Sequence, residues 1–372
     1  MQTLVLNVGS SSLKAALLNG EASAGPGADR SWQAQRDLAG EALADVLRQW
    51  LLPQLEPWWP EIQLVGHRMV HGGERFTQPT RLLAPVLEEL EGLVPLAPLH
   101  NRPALEAIRW LTAVQPQLPQ WACFDTAFHA TLAPEAYSYA LPRIWRDQGY
   151  RRFGFHGLNH QHVAETAAAH WDACGHGGLP RLISCHLGAG CSLAAVREGH
   201  SVDTTMGFTP LEGLVMASRS GSVDPGLLLH LLHQGISADQ LDHTLSRESG
   251  LQGLSELTGD WRQLRAAAGE GHPGAQLALR VFRHRLLAGI GAMAATLGGV
   301  DLIALSGGIG ANDPLLADEL KAALGWLGPY ELLRIPAEEE GMIARQCWRA
   351  FSRDPAGRGF DAAGDSDAGD RR

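Results

Sequence analysis

Short apolar runs rich in β-branched residues recur along the chain, and each ends at a glycine or a polar cluster. This pattern predicts buried strands at residues 3–9, 63–70, 121–128, 181–188, 191–198 and 301–308. Apolar positions at helical spacing lie between them, at residues 101–116, 224–235, 274–299 and 338–351. Asp224, Pro225 and Gly235 occupy the start and end positions typical of a helix. Strands that alternate with helices predict an α/β fold.

Two stretches share one layout, in which an apolar run passes through a glycine-rich turn into a second apolar run. They are LVLNVGSSSLKAAL at residues 4–17 and LISCHLGAGCSLAAV at residues 182–196. Each predicts a β-hairpin with a glycine-rich tip, and the pair suggests two related domains that each offer one tip to a shared cleft. Because Gly and Ser are common in turns, two unrelated hairpins remain the alternative. The first tip is not a Walker loop, since the second glycine of G-x-x-x-x-G-K-[ST] is missing.

Length and composition are those of a globular protein with two domains. The chain has 372 residues, of which 45% are hydrophobic and 19% are charged. Its formal net charge of −10 argues against nucleic acid or an anionic membrane as the main partner. Five cysteines without a C-x-x-C spacing predict reduced thiols rather than disulfides or a zinc site. Asn7 interrupts the first apolar run, and no run approaches the roughly 20 residues of a membrane span, so we expect a cytoplasmic protein.

Polar clusters lie at the ends of predicted strands or in loops, where α/β proteins place their ligands. They are GHRMVHGGERF (66–76), LAPLHNRP (96–103), FDTAFH (124–129), FGFHGLNH (153–160), CHLGAG (185–190) and MASRSGSVDP (216–225). Taken singly, Asp125 is typical of a turn residue, and each arginine is typical of a surface ion pair. His156, His160 and His162 have helical spacing, but they lack a matching carboxylate or cysteine pattern. We therefore expect histidines on a helix surface rather than metal ligands.

The combination of these residues indicates more than each cluster alone. Lys14, Arg68 and Arg219 supply cations, and His156 and Asp125 accompany them in clusters rich in glycine. Phosphoryl transfer requires positioned cations and backbone N–H groups that stabilise charge on the transferring group. The sequence therefore predicts anion binding and phosphoryl transfer.

Nine motifs in order along the chain resemble those of the acetokinase family, within the actin-like superfamily of acetate and sugar kinases. They are NVGSSSLK, GHRMVHGG, APLHN, FDTAFH, FGFHG, CHLGAG, MGFTPLEG, SRSGSVDP and GGIGAN. The resemblance implies an α/β fold of two duplicated actin-like (ribonuclease H-like) ATPase domains with an interdomain active-site cleft. It also implies the reaction of acetate and ATP to acetyl phosphate and ADP, with Mg²⁺ or Mn²⁺, in a cytoplasmic homodimer.

The resemblance assigns roles to charged and polar residues. Asn7 and Glu339 match the metal-site residues, and their oxygens suit Mg²⁺. Arg68 and Arg219 match the arginines that hold the substrate carboxylate and the transferring phosphoryl group, for which a forked guanidinium is suited. His156 matches a transition-state stabiliser. Asp125 matches an acid/base residue, but an acetate nucleophile is already ionised near neutral pH, so we expect Asp125 to orient an arginine or a metal-bound water.

Further positions match the nucleotide and acetate sites of the family. The four that match the pocket for the acetate methyl group are all apolar: Val70, Leu99, Phe155 and Pro210. Those that match ATP-binding positions are Lys14, His186, Leu187, Gly188, Ala189, Gly190, Asp260, Trp261, Arg262, Gly308, Ile309, Gly310, Ala311 and Asn312. The implied domains are residues 1–128 with 339–352, and residues 129–338. Residues 353–372, rich in Gly, Ala and Asp, predict a disordered tail.

The departures from the family pattern lie near the nucleotide. Ala189 stands where the family usually has Asn, Ala311 where it has Glu, and Ala337–Glu338 where it has Thr-Asn. The segment between Asn312 and Pro336 is shorter than in most relatives. One interpretation is sequence drift, with backbone N–H groups still holding the phosphates. The other is weakened ATP binding or a different phosphoryl donor.

One other activity remains open, and the sequence argues against two other classes of protein. A propionate or other short-chain fatty acid kinase is the enzymatic alternative. A degenerate, regulatory member of the superfamily would require loss of Lys14, Arg68, His156, Arg219 or Glu339, and all five are present. A Rossmann-type dehydrogenase is disfavoured because no G-x-G-x-x-G follows the first strand.

Overall fold

The computed structural model describes residues 2–9, 12–19, 29–38 and 40–354. Its internal contacts separate two units. Unit 1 is formed by the described residues within 1–72, 78–124 and 339–372, and unit 2 by residues 73–77 and 125–338. From residue 355 onward, the predicted tail lies outside the described residues. None of the described helices is long and apolar enough to cross a membrane.

Each unit contains one β-sheet. The strands are β1 (Gln2–Val8), β2 (Ser12–Asn19), β3 (Arg30–Asp37), β4 (Ile62–Met69), β5 (Thr80–Arg81), β6 (Gln120–Phe124), β7 (Leu182–Leu187), β8 (Cys191–Arg197), β9 (His200–Thr204), β10 (Leu302–Ser306) and β11 (Glu331–Arg334). The sheet of unit 1 has the order β3-β2-β1-β4-β6-β5, and that of unit 2 has the order β11-β10-β7-β8-β9.

The two sheets repeat one topology. In unit 1, β1, β2 and β3 pair antiparallel, and β4 and β6 then follow β1 in parallel. In unit 2, β7, β8 and β9 pair antiparallel, and β10 and β11 follow β7 in parallel. Both hairpins predicted from the sequence are confirmed, and the similarity of the two stretches reflects the same first hairpin of a repeated sheet.

Helices cover and connect the sheets. They are α1 (Leu43–Asp45), α2 (Leu52–Leu55), α3 (Ala84–Gly92), α4 (Pro98–Val114), α5 (Pro134–Tyr137), α6 (Arg143–Arg146), α7 (Gly157–Ala173), α8 (Pro225–His233), α9 (Ala238–His243), α10 (Gly250–Ser255), α11 (Trp261–Gly269), α12 (Pro273–Leu297), α13 (Gly307–Asn312), α14 (Pro314–Ala323) and α15 (Glu339–Arg353). Short 3₁₀ or π turns lie at Val46–Leu51, Glu56–Trp58, Val94–Leu96, Ala127–Thr131, Thr244–Glu248 and Gly325–Leu327.

The last helix returns to the sheet of unit 1. Helix α15 packs against β1, β4 and β6. Gly66 on β4 permits this close approach, because a methyl group there would lie 2.6 Å from Ile343 Cγ2 and 2.8 Å from Cys347 Sγ. The packing fixes the start of α15, where Glu339 and Glu340 lie, in unit 1.

The core of unit 2 forms between helices and the central strands. Val163 and Ala167 of α7 are buried with Leu182 of β7 and Ala304 of β10. The long helix α12 packs against β8, where a methyl group on Gly289 would lie 2.8 Å from Leu193 Cδ1. These contacts hold the β7–β8 hairpin, and therefore its tip, against two helices.

The strand predicted at residues 121–128 is shorter than expected. Strand β6 ends at Phe124, and Ala127–Thr131 form a 3₁₀ turn. The reason is a contact with a later segment, because the carbonyl of Asp125 accepts a hydrogen bond of 2.9 Å from the amide of Gly157 at the start of α7. A carbonyl committed to a helix start cannot continue the ladder of the sheet.

Candidate active site

The end of β1 in unit 1 carries a compact cluster of charged and amide groups. Asn7 is buried, and its Nδ2 donates to Glu339 Oε2 at 3.1 Å and to Glu340 Oε1 at 2.8 Å. Its Oδ1 accepts from Arg68 Nη1 at 3.2 Å, and Arg68 Nη1 lies 3.3 Å from Glu339 Oε2. Lys14 Nζ lies 4.0 Å from Glu340 Oε1. Four residues predicted from the sequence are thus brought together, and a fifth, Glu340, joins them.

The strands account for this cluster. Asn7 pairs directly with Lys14 across the β1–β2 hairpin, and Arg68 lies on β4, which runs parallel to β1. The two glutamates open α15, where the positive end of the helix dipole favours carboxylates. A buried amide requires hydrogen-bond partners, and here Asn7 has charged partners on both its oxygen and its nitrogen.

The donor set of this cluster fits a magnesium ion. The two carboxylates are hard oxygen ligands, and Mg²⁺ is commonly held by one or two carboxylates together with water and substrate phosphates. The amide oxygen of Asn7 is also a hard ligand, but here it accepts from Arg68 while its nitrogen faces the carboxylates. The described residues contain no group of three or more His, Cys, Asp or Glu placed to hold a metal by themselves. The cluster therefore fits a metal shared with a phosphorylated ligand better than a closed structural site.

The glycine-rich tip of unit 2 borders a cavity of about 650 Å³. The tip is closed by a hydrogen bond of 3.0 Å from the amide of Gly188 to the carbonyl of Gly190. Gly307, with φ of +79°, lies against β7, where a methyl group would lie 2.5 Å from the carbonyl oxygen of Leu187. The cavity is lined by Gly188, Ala189, Ala217, Gly259, Asp260, Trp261, Arg262, Arg265, Gly308, Ile309, Asn312, Asp313 and Leu315.

Most of the residues predicted to bind ATP line this cavity, and some do not. Its wall includes predicted residues from the tip, from the start of α11 and from α13. Leu187 and Gly310 are buried behind the wall, and Lys14 belongs to unit 1. The predicted positions outside the lining are Lys14, His186, Leu187, Gly190, Gly310 and Ala311.

A hydrogen-bonded network that the sequence analysis missed supports one side of the cavity. Asp313 Oδ2 accepts from Trp261 Nε1 at 2.6 Å and from Arg265 Nε at 3.0 Å. Arg265 Nη1 also donates to Glu319 Oε1 at 2.7 Å. Burial raises the pKa of Asp313, but the hydrogen bonds from Trp261, Leu316 and Arg265 outweigh it, and the pKa is lowered overall. The Asp-Pro pair that opens α14 was the available signal in the sequence.

Asp260 caps α11 at another point of the cavity wall. Its Oδ1 accepts from the amides of Arg262 at 2.9 Å and Gln263 at 3.0 Å. The hydrogen bond from Gln263 is the main cause that lowers the pKa of this carboxyl. Trp261 follows the cap and lies in the first turn of α11, while the Arg262 side chain is exposed.

A cluster of buried histidines lies beside the tip in unit 2, and it corrects one expectation. His160 and His162 are buried, so the prediction of helix-surface histidines is wrong. His160 Nδ1 lies 2.8 Å from Ser184 Oγ, and its Nε2 lies 2.7 Å from Ser192 Oγ. The serines on β7 and β8 provide polar partners inside the protein, which sequence spacing along the helix alone could not reveal.

His156 is held in an unusual backbone conformation just before α7. It has a left-handed backbone, with φ of 57°, which costs about 1–2 kcal/mol for a residue with a side chain. Its ring stacks on His186 at 4.2 Å between centroids, and its Nδ1 lies 2.9 Å from Ser192 Oγ. The strain is offset by contacts that fix the ring at the tip.

Arg219 and His156 face the same point of the tip. A methyl group on Gly190 would lie 3.0 Å from His156 Nε2 and 3.8 Å from Arg219 Nη1. Arg219 Nη1 also donates to the carbonyl of Pro210 at 3.3 Å. Asp125 is buried in the same unit. The arrangement places a guanidinium and an imidazole nitrogen beside Gly190, which has no side chain, and this suits the binding of a tetrahedral oxyanion.

The four apolar candidates differ in exposure. Val70 and Phe155 are buried, Pro210 is partly buried, and Leu99 is 46% exposed. Val70 and Leu99 belong to unit 1, and Phe155 and Pro210 to unit 2.

The repeated sheets define the actin-like kinase fold, and solved structures agree. A propionate kinase from Francisella tularensis has a TM-score of 0.84 and 32% identity over 93% of this chain and 98% of that one. Porphyromonas gingivalis acetate kinase has a TM-score of 0.79 and 31% identity over 92% and 98%. An acetate kinase of a Synechococcus species is 44% identical over 93% of this chain and 98% of its own length. The model of the acetokinase family matches residues 27–332, and the chain belongs to this family.

We expect acid to destabilise the protein through its buried histidines. Burial lowers the pKa of His67 and of His129 to about 4 each, from 6.5. Between these values the unfolded chain binds protons that the folded chain does not, so stability is full above pH 6.5 and falls as pH decreases. The free energy of unfolding in urea should drop by about 2 kcal/mol per histidine between about pH 7 and pH 5.

The variant His129→Gln should lose less stability over this range than the wild-type protein. His284→Gln, at an exposed position of α12, is the matched control and should lose as much as the wild type. An equal loss in His129→Gln would contradict the assignment of the acid sensitivity to this histidine.

Proposed function

We propose that this protein is an ATP:acetate phosphotransferase, which converts acetate and ATP reversibly to acetyl phosphate and ADP. Membership of the acetokinase family supports this activity. The observation that carries it is the glycine-rich tip of unit 2, which lines a nucleotide-sized cavity and has His156 Nε2 and Arg219 Nη1 beside Gly190. A hydroxamate assay for acetyl phosphate, with ATP and with pyrophosphate as donors, tests the proposal directly.

The transferred group is the γ-phosphoryl of ATP. A carboxylate oxygen of acetate forms the new bond to phosphorus, while the bond from phosphorus to the bridging oxygen of ADP breaks. Acetate is ionised near neutral pH, so the step needs no general base. The catalytic demand is to position both reactants and to stabilise charge on the transferring group.

We assign Arg219 and His156 to the stabilisation of charge on the transferring phosphoryl group. His156 Nε2 and Arg219 Nη1 both lie beside Gly190 at the tip. Arg68 is assigned to the acetate carboxylate, with Val70, Leu99, Phe155 and Pro210 around the methyl group. Asp125 is assigned an orienting role rather than that of an acid or base.

Mg²⁺, or Mn²⁺, is the metal we propose for the cluster at the end of β1. Asn7 and Glu339 would hold it, and Glu340 adds a carboxylate that contacts the same amide. When bound, the ion would neutralise charge on the phosphates of ATP. Lys14 and the residues of the tip, of α11 and of α13 are assigned to the nucleotide.

A propionate or other short-chain fatty acid kinase is the second candidate. It is favoured by the similarity to the Francisella propionate kinase. One methylene in an apolar pocket is worth roughly 1–3 kcal/mol, so the two substrates would differ by a limited factor. The ratio of kcat/KM for acetate, propionate and butyrate in the same assay separates the candidates.

We further propose a cytoplasmic homodimer without a nucleic-acid or membrane partner. ATP is a co-substrate of the cytoplasm, and the five cysteines are free, as in proteins of reducing compartments. Helix α8 has no buried residue although it is rich in leucine, and Leu227, Leu229 and Leu232 on it are exposed. A second copy of this chain would cover such an apolar helix.

We expect Leu229→Lys to lower the fraction of dimer without unfolding the protein. A charge placed on the apolar face of α8 would be costly to bury in an interface. Sedimentation velocity should show a shift to monomer, while Leu83→Lys, an equally exposed leucine of unit 1, should sediment as the wild type. An unchanged dimer in Leu229→Lys would exclude α8 from the interface.

We expect Arg219→Ala to lose more kcat than Asp125→Asn. Arg219→Ala removes a donor to the transferring group and should lower kcat by about 10³-fold, whereas Asp125→Asn should lower it by about tenfold or less. Arg143→Ala, on the exposed helix α6, serves as the control and should leave kcat unchanged. The reverse order of the two losses would assign Asp125 a direct chemical role.

The nucleotide side offers a gain-of-function test at Ala189. This residue lines the cavity, and its carbonyl accepts from the amide of Ala217 at 3.0 Å. Ala189→Asn adds a side-chain amide near the phosphates and should lower the KM for ATP by about threefold to tenfold, with the KM for acetate unchanged. Ala189→Asp, similar in size but anionic, should raise the KM for ATP. No change in Ala189→Asn would favour drift with phosphate binding by the backbone.

A further inference from the structure

A continuous chain of hydrogen bonds leads from His156 into the interior of unit 2. His156 Nδ1 lies 2.9 Å from Ser192 Oγ, and Ser192 Oγ lies 2.7 Å from His160 Nε2. His160 Nδ1 lies 2.8 Å from Ser184 Oγ. Ser184, Ser192 and His160 each have an exposed fraction of 0%. The chain therefore joins a residue at the tip to a fully buried serine on β7.

His160 is neutral in this environment. Burial lowers its pKa well below 6.5, and the neighbouring His129 and His186 lower it further. A neutral imidazole has one N–H, so one ring nitrogen of His160 donates and the other accepts. The hydrogen-bonded chain then has only two possible arrangements of its protons. In one, the donors point from Ser184 towards His156, and in the other they point from His156 towards Ser184.

Ser184 determines which arrangement is favoured. Its hydroxyl has no hydrogen-bond partner besides His160 among the described residues. If His160 Nδ1 donated to Ser184, the serine O–H would be buried without an acceptor, which is unfavourable. In the other arrangement Ser184 donates to His160 Nδ1, His160 Nε2 donates to Ser192, and Ser192 donates to His156 Nδ1. Both serine hydroxyls and the ring N–H of His160 then have an acceptor.

The favoured arrangement leaves the proton of His156 on Nε2. This is the nitrogen that faces Gly190 and Arg219. We propose that Ser184, His160 and Ser192 are positioning residues, which hold His156 as the neutral tautomer with its N–H directed at the tip. His156 then donates a hydrogen bond to an oxyanion without first gaining a proton. This inference rests on the role of His156 in the proposed phosphoryl transfer.

The groups around His156 would otherwise favour a different tautomer of its ring. His186 stacks on its ring, His160 follows it by one turn of α7, and Arg219 lies on the side of Nε2. A guanidinium near Nε2 would favour a lone pair there, and would therefore favour the tautomer that cannot donate. Protonation at Nδ1 would require reversal of the whole chain and would leave Ser184 without an acceptor. The hydrogen-bonded chain therefore disfavours both the His156 tautomer with its proton on Nδ1 and the doubly protonated, cationic His156.

Ser192→Ala tests the chain through the pH dependence of kcat. Without the Ser192 hydroxyl, neutral His156 is free to carry its proton on Nδ1, and kcat at about pH 8 should fall about tenfold. The KM values for acetate and ATP should change by less than about twofold, since the ground-state contacts are kept. At lower pH, a cationic His156 would carry a proton on both ring nitrogens and regain its Nε2–H, so the ratio of wild-type to variant kcat should shrink as pH decreases.

Matched variants separate positioning from a general effect on the fold. Ser192→Thr keeps the hydroxyl and should restore the wild-type pH profile. Ser201→Ala removes a buried serine that bonds His129 Nδ1 at 2.8 Å, but His129 Nε2 donates to the carbonyl of Phe155, which fixes that tautomer independently. Its pH profile should match the wild type. Ring-nitrogen NMR of histidine-labelled protein should show the Nε2–H form of His156 in the wild type and its loss in Ser192→Ala.

The outcomes distinguish this inference from the proposed function. If His156→Ala loses kcat while Ser192→Ala keeps the wild-type kcat and pH profile, the positioning chain is overturned and the phosphotransferase remains. If His156→Ala keeps full kcat, the assigned role of His156 fails, and the inference fails with it. If the protein forms no acetyl phosphate at all, the proposed function itself is refuted.

Discussion

The absence of a side chain at Gly190 is the constraint on which the candidate site depends. A single methyl group there would lie within 3.0 Å of His156 Nε2 and 3.8 Å of Arg219 Nη1. The hairpin can therefore present bare backbone between two donors, and the strained backbone of His156 is maintained to keep one of them in place. The serines and buried histidines behind the tip extend the same constraint inward, because a rotated or wrongly protonated ring would direct no N–H to this point.

The hairpins could be predicted from the sequence because they depend on local order along the chain, whereas the cluster at the end of β1 joins distant residues that only the family resemblance singled out. An apolar run, a glycine turn and a second apolar run have few other solutions. Asn7, Arg68 and Glu339 were identified by the resemblance to the family, and the structure brings them together in unit 1. Glu340 was not identified because it is one of three consecutive glutamates, at residues 338–340. The sequence does not show which of them lie in the first turn of α15.

What the sequence could not reveal depends on contacts between distant segments. His160 and His162 have the spacing of a helix, but both are buried, and His160 is held by serines of β7 and β8. The contact of Arg265 with Asp313 joins residues 48 positions apart. Strand β6 stops early because α7 takes the carbonyl of Asp125. In each case the deciding partner lies on another element, where periodicity along one segment contains no information.

The packing of α15 on the sheet of unit 1 constrains the order in which the newly made chain can assemble. Strands β1, β4 and β6 leave the ribosome early, but the helix that covers them, fitted against the bare backbone of Gly66, is made more than two hundred residues later. Unit 2 is contiguous apart from five residues, so it can close while unit 1 still has an uncovered apolar face. The residues of unit 2 are therefore all synthesised before α15, and the carboxylates of α15 can reach Asn7 only after that helix has been made.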